Sequence, residues 1–197
     1  MTTEVHPQRI GLFGGSFDPV HLGHLLVAQA AREELALTRL FFIPAAQSPF
    51  KPNRQPTAPG ERLRLLHLAL AGREWCEIDD QEIKRGGISF TIDTVRNYAE
   101  RFAQAELFYL IGADHVAQLP KWREASELAR RARFVVIPRP GRAEAPLPDP
   151  FIGQMLRGFP LAVSSSEIRA RIKAGLPLEP LIPAAVAEAI RNNRLYL

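Results

Sequence analysis

The chain has 197 residues, 46% of them apolar and 23% charged, and 25 Lys plus Arg against 21 Asp plus Glu leave a net charge of +4. These are the values of an ordinary globular protein and exclude a disordered, collagen-like or low-complexity chain. The lone Cys76 excludes an intrachain disulfide, no apolar run reaches the roughly 20 residues of a membrane-spanning helix, and the start MTTEVHPQRI has no apolar leader, so one domain over 1–197 in the cytoplasm is expected.

Arg9–Phe13 reads as a buried strand broken by Gly14-Gly15, and residues 22–36 read as a helix with separated apolar and polar faces. Leu40–Ile43 is a second strand, closed by Pro44, and a proline-rich loop leads to a leucine-rich helix over 61–71 with Gly72 as its C′ residue,. Trp75–Asp79 is a third strand. Gly86-Gly87 reads as a turn closing a hairpin onto Ile88–Phe90, and Thr91 as the N-cap of a helix to Ala103,. Leu107–Ile111 is an apolar strand ending at Gly112. A helix over 122–131, a strand Phe134–Ile137, a short strand Leu161–Val163, a helix over 165–174 and a last helix over 183–192 complete the chain.

Strands alternate with helices, and several strands are continuous apolar runs, as in a parallel sheet covered on both faces. The expected fold is α/β: a Rossmann-like, doubly wound, mostly parallel sheet with helices on both faces and a small helical part over 165–197. Such sheets bind ligands beyond the carboxyl ends of their strands.

Two of the post-strand loops carry chemistry. The first is Gly14-Gly15-Ser16-Phe17-Asp18-Pro19-Val20-His21-Leu22-Gly23-His24. Glycines allow close backbone approach, a helix start offers N–H groups and a positive dipole end to phosphate, and His21 and His24 share a helix face. A turn plus a helix cap, or a metal pair, are the other readings, although the i, i+4 spacing of zinc helices is missing. The second loop is Ser164-Ser165-Ser166-Glu167-Ile168-Arg169. Ser164 and Glu167 fit a capping box, and Arg169 beside free N–H groups suits a phosphate clamp. Neither a P-loop nor a G-x-G-x-x-G motif is present. Residues 121–142 hold seven basic groups against two acidic ones, which reads as an anion-facing patch or as a solvated helix face. The acidic run from Glu74 to Glu82 reads as a solvated strand edge rather than a metal site.

His21-Leu22-Gly23-His24 resembles the (T/H)-x-G-H signature of the nucleotidyltransferase superfamily, and Val163–Arg169 resembles its (I/V)-S-S-(T/S)-x-I-R signature. Lys51 in SPFK, the segment Ser89–Thr94, Tyr109–Asp114 followed by Trp122, and Arg139-Pro140-Gly141 resemble the bacterial nicotinate-nucleotide adenylyltransferases across nearly the whole chain. Phe50 stands where that family has histidine, and Ser16 where it has threonine. The resemblance implies transfer of the adenylyl group of ATP to nicotinate mononucleotide, with Mg²⁺ held mainly by the phosphates. It implies catalytic roles for His21, His24 and Arg169. Gly14, Gly15, Ser16, Phe17, Gly112, Asp114 and Ser165 would join these three around ATP. Lys51, Thr91, Trp122 and Arg139 would hold the mononucleotide. No nucleic-acid or membrane partner is implied. A related adenylyl- or cytidylyltransferase and a non-catalytic nucleotide sensor are the alternatives.

Overall fold

A computed structural model describes residues 7–50, 55–139, 146–159 and 161–197. Six strands form one sheet in the order β3-β2-β1-β4-β5-β6, and every pairing is parallel. They are β1 (Arg9–Gly15), β2 (Arg39–Pro44), β3 (Cys76–Ile78), β4 (Glu106–Gly112), β5 (Arg133–Ile137) and β6 (Gly153–Met155). The helices are α1 (Leu22–Leu35), α2 (Pro59–Leu70), α3 (Gln81–Arg85), α4 (Thr91–Arg101), α5 (Ala125–Arg131), α6 (Ser165–Lys173) and α7 (Ala184–Asn192).

Alternate residues of each strand point to opposite faces. On one face Phe13, Leu40, Phe42, Phe108 and Leu110 pack with apolar residues of α1, α2, α6 and α7. On the other, Ile10, Leu12, Phe41, Tyr109 and Phe134 pack with α4, α5 and the turn before it. The helices 165–173 and 184–192 therefore join the first core and do not stand apart from it. No described helix is long and apolar enough to cross a membrane.

Several local expectations are corrected. Residues 80–91 form no hairpin: α3 precedes Gly86-Gly87, and Ile88 makes an isolated parallel bridge to Gln47. Phe90, not Thr91, is the N-cap of α4. The helix expected from Trp122 begins at Ala125; a 3₁₀ segment Ala113–Lys121 containing Pro120 precedes it, and a left-handed Glu124 is its N-cap. Leu161–Val163 is not a strand. The sixth strand is Gly153–Met155, where a Cβ on Gly153 would stand 1.7 Å from the Phe134 carbonyl oxygen. The acidic run is not a simply solvated edge: Asp79 accepts from Tyr98 and Arg101, and Glu82 is buried and accepts from Thr94 Oγ1 at 2.6 Å.

Strand order reverses between β1 and β4, which lie side by side although the chain runs outward through β2 and β3 between them. Their carboxyl ends diverge into separate crossovers, which opens the crevice where such sheets bind ligands.

Candidate active site

A cavity of about 750 Å³ lies at that crevice. Gly14, Gly15, Ser16, Phe17, His21 and His24 line it from the β1 side, Gly112 from β4, and Ser165 and Arg169 from α6. Thr91, Trp122 and Arg139 complete the set of expected residues on its wall. Asp114 is exposed and not part of that wall, its carboxylate 2.8 Å from Arg139 Nε. Lys51 lies outside the described residues.

The histidines sit where α1 starts. His21 is the N-cap, 6% exposed, and its backbone N–H donates to His24 Nδ1 at 3.1 Å. An N–H can only donate, so His24 Nδ1 carries no proton and the neutral ring holds its proton on Nε2. The two rings lie 3.7 Å apart. Burial, with a further push from Arg139, lowers His21 to about 4. Burial, then His21 and Arg139, holds His24 well below the usual histidine range. Both rings are therefore uncharged in the free protein at neutral pH. His24 rests against the edge of Phe17, 5.0 Å between centroids. Phe17 itself is buried against Phe13 and Phe42, so its ring serves as a wall for His24.

Gly23 has a specific reason to be glycine: a Cβ there would come within 2.9 Å of Val163 and 3.0 Å of the His21 ring. The second signature thus closes over the first. Ser165 Oγ donates to the Pro19 carbonyl at 2.8 Å, and Arg169 Nη1 donates to the Asp18 carbonyl at 2.5 Å. Ser164 caps α6, its Oγ accepting from the Glu167 N–H. Ser165 and Arg169 are therefore clamps between loops as well as cavity residues.

The far wall is aromatic. Trp122 lies 5.6 Å from Phe50 and perpendicular to Tyr109 at 6.3 Å, and Phe50 lies 4.7 Å from His115. Thr91 Oγ1 donates to the Tyr109 hydroxyl at 3.2 Å, and a Cβ on Gly14 would stand 2.5 Å from that hydroxyl. Tyr109, His115 and the buried Glu82 also line the cavity, although none of them is assigned a role at the site by the sequence. Burial raises Glu82 from its ordinary value, against hydrogen bonds from Thr94 and Ser89. Outside the site, three basic groups of 121–142 are paired: Arg131 with Glu127 and Arg123 with Glu124 inside the segment, and Arg133 with Glu106 of β4. Among the described residues no group of three or more His, Cys, Asp or Glu converges on one point.

A parallel α/β sheet whose switch-point cavity is built from two helix-start loops defines a nucleotidyltransferase-like protein. A model of the cytidylyltransferase-like family matches residues 12–171. A probable nicotinate-nucleotide adenylyltransferase of Opitutus terrae is 41% identical over 194 residues, covering 95% of this chain and 97% of the relative. A protein of the same description from Desulfitobacterium hafniense strain Y51 is 36% identical over 209 residues, covering 100% of this chain and 99% of its own. The fold matches that of a Plasmodium falciparum nicotinic acid mononucleotide adenylyltransferase complexed with NaAD, with a TM-score of 0.81 over 96% of this chain and 97% of the other at 18% identity. The chain belongs to the cytidylyltransferase-like family and, within it, to the nicotinate-nucleotide adenylyltransferases.

The neutral histidines leave a pH signature. His21 titrates near 6.5 when unfolded and about 4 when folded, so the unfolded chain takes up the proton first as pH falls. Its share of stability is complete above about pH 6.5 and is lost as pH falls toward 4. For this one group the loss between pH 7 and 5 is about 2 kcal/mol. Urea denaturation of wild type and His21→Asn at the two pH values should show the variant losing less stability on acidification. Equal losses would contradict the buried neutral ring.

Proposed function

We propose that the protein joins ATP and nicotinate mononucleotide into nicotinate adenine dinucleotide and pyrophosphate, acting as one domain in the cytoplasm. The observation that carries this reading is the neutral His21–His24 pair at the α1 start, clamped beneath the α6 loop in the switch-point cavity. The names of the full-length relatives supply the substrates.

The mononucleotide phosphate oxygen attacks the α-phosphorus of ATP. One P–O bond forms, the bond to the bridging oxygen breaks, and pyrophosphate leaves with the electron pair. The attacker is already an anion, so no general base is required and catalysis reduces to alignment and charge stabilisation. His24 donates from Nε2 to a phosphate oxygen. His21 lies beside it, and an incoming polyanion favours protonation of both rings. Gly14, Gly15 and Ser16 let the backbone approach the phosphates, and the α6 start with Ser165 and Arg169 holds their distal end. Arg139, oriented by Asp114, stands close enough to depress both histidines; that position fits phosphate better than the pyridine ring. Gly112 lies at the β4 end, where ribose or adenine fits. Trp122 stacks on the pyridine, Thr91 at the α4 start receives its carboxylate, and Lys51 approaches the mononucleotide phosphate. Mg²⁺, when bound, offsets phosphate charge; with no converging protein ligands among the described residues, the donor set fits an ion held by phosphate oxygens and water,.

Pyrophosphate release from ATP, measured across several mononucleotides, tests the reaction. Nicotinate mononucleotide should give the highest kcat/KM, well above the nicotinamide form, because the amide cannot replace a charge at the helix start. ATP binding without pyrophosphate release from any of them would contradict the enzyme and favour a sensor. His24→Ala should lower kcat by about 10²–10³ while changing the KM for ATP much less; an unchanged kcat would remove His24 from the mechanism.

A further inference from the structure

Among the described residues, the largest fully buried side chain is a charged one. Arg62, in the first turn of α2, is 0% exposed, although the leucine-rich pattern around it marks an ordinary core-facing helix. Its guanidinium does not reach the cavity, whose wall does not include it. It reaches the underside of the first loop instead. Nη1 donates to the Ser16 carbonyl at 2.8 Å, and Nε donates to the Thr57 carbonyl at 3.0 Å. Asp18, 2% exposed, supplies the nearby negative charge that offsets the burial of the cation. Nη2 is buried with no hydrogen-bond partner among the described residues.

A buried cation is an expensive way to fill space, since a methionine or leucine would pack there without desolvating a charge. What the arginine adds is direction. The residue after Ser16, Phe17, has a φ of 46°, a left-handed conformation that aromatic residues adopt only when their surroundings enforce it,. That conformation sends the Phe17 ring into the core, where its edge supports His24. The carbonyl that Arg62 grips is thus the one immediately before the strained residue, and the strained residue carries the wall behind the proposed phosphate donor.

We infer that Arg62 is a positioning residue for adenylyl transfer: its guanidinium pins the Ser16 carbonyl beside Asp18, which holds Phe17 left-handed and so keeps His24 aimed into the cavity. It touches no substrate. The inference rests on the adenylyl-transfer reading, so wild-type turnover serves as a separate control. A silent wild type defeats that reading, while titration of the His24 ring still judges Arg62.

The test compares Arg62→Met, which keeps the volume and loses the charge, with Arg62→Lys, which keeps the charge and loses the fork. Thermal unfolding identifies the folded variants, and NMR follows the His24 ring against pH in the free protein, where His21 and Arg139 are the charged or titratable groups facing it. In wild type His24 should stay neutral well below the ordinary histidine range. In folded Arg62→Met its titration should move up toward that range as the loop loosens, and kcat should fall by about 10- to 100-fold with a smaller change in the KM for ATP. Arg62→Lys should recover part of both. Unchanged His24 titration and kcat in a folded variant would overturn the inference. Loss of folding in both variants would also overturn it, assigning Arg62 to the stability of the fold alone.

Discussion

Two hydrogen bonds, from Ser165 Oγ to the Pro19 carbonyl and from Arg169 Nη1 to the Asp18 carbonyl, join the loop after the first strand to the helix that follows the last. They connect residues 146 and 151 positions apart. Closing loops of that length from an unfolded chain is costly in entropy, but the sheet has already brought the two ends together. The clamp can therefore select geometry rather than create it. Gly23 makes the same contact from the other side, since only a missing side chain lets Val163 come down on the α1 start.

The clamp encloses the histidines, and enclosure sets their charge. Buried beside Arg139, both rings are neutral when the cavity holds no anion. A neutral imidazole with Nδ1 occupied by a backbone N–H is a donor at Nε2 and nothing else, so its role is fixed by local geometry,. The positive field at the site comes from Arg139, Arg169 and the helix starts rather than from the histidines. The net charge of the chain tells little about this. Within residues 121–142, Arg131 pairs with Glu127 and Arg133 with Glu106 of β4, while Glu124 and Glu127 also bind Arg96 of α4.

The sheet was legible because β1, β2, β4 and β5 are apolar runs, a local signal. β6 was not: Gly153-Gln154-Met155 has no strand pattern and is held by its pairing with β5. The short α3 was hidden by the Gly86-Gly87 turn signal. It is anchored by the buried Glu82–Thr94 bond, which no spacing rule shows. The 3₁₀ segment before Trp122 escaped because its turns accommodate Pro120. At the site, His21, His24 and the serine loop stood out because their spacing is short. Tyr109 and Arg62 did not, because one looks like a strand residue and the other like a helix residue until the fold puts Gly14 against the first and Ser16 against the second. Thr91 is the first residue of α4 rather than its cap, and its hydroxyl is spent on Tyr109.

The central claim is that this site aligns two phosphates and stabilises charge without forming a bond to the protein. Stereochemistry at phosphorus tests that most directly. With ATP carrying sulfur at a chiral α-phosphorus and nicotinate mononucleotide as acceptor, a single in-line displacement inverts the configuration in the dinucleotide product. Inversion is the predicted result. Retention would require two displacements through an adenylylated side chain and would contradict the account.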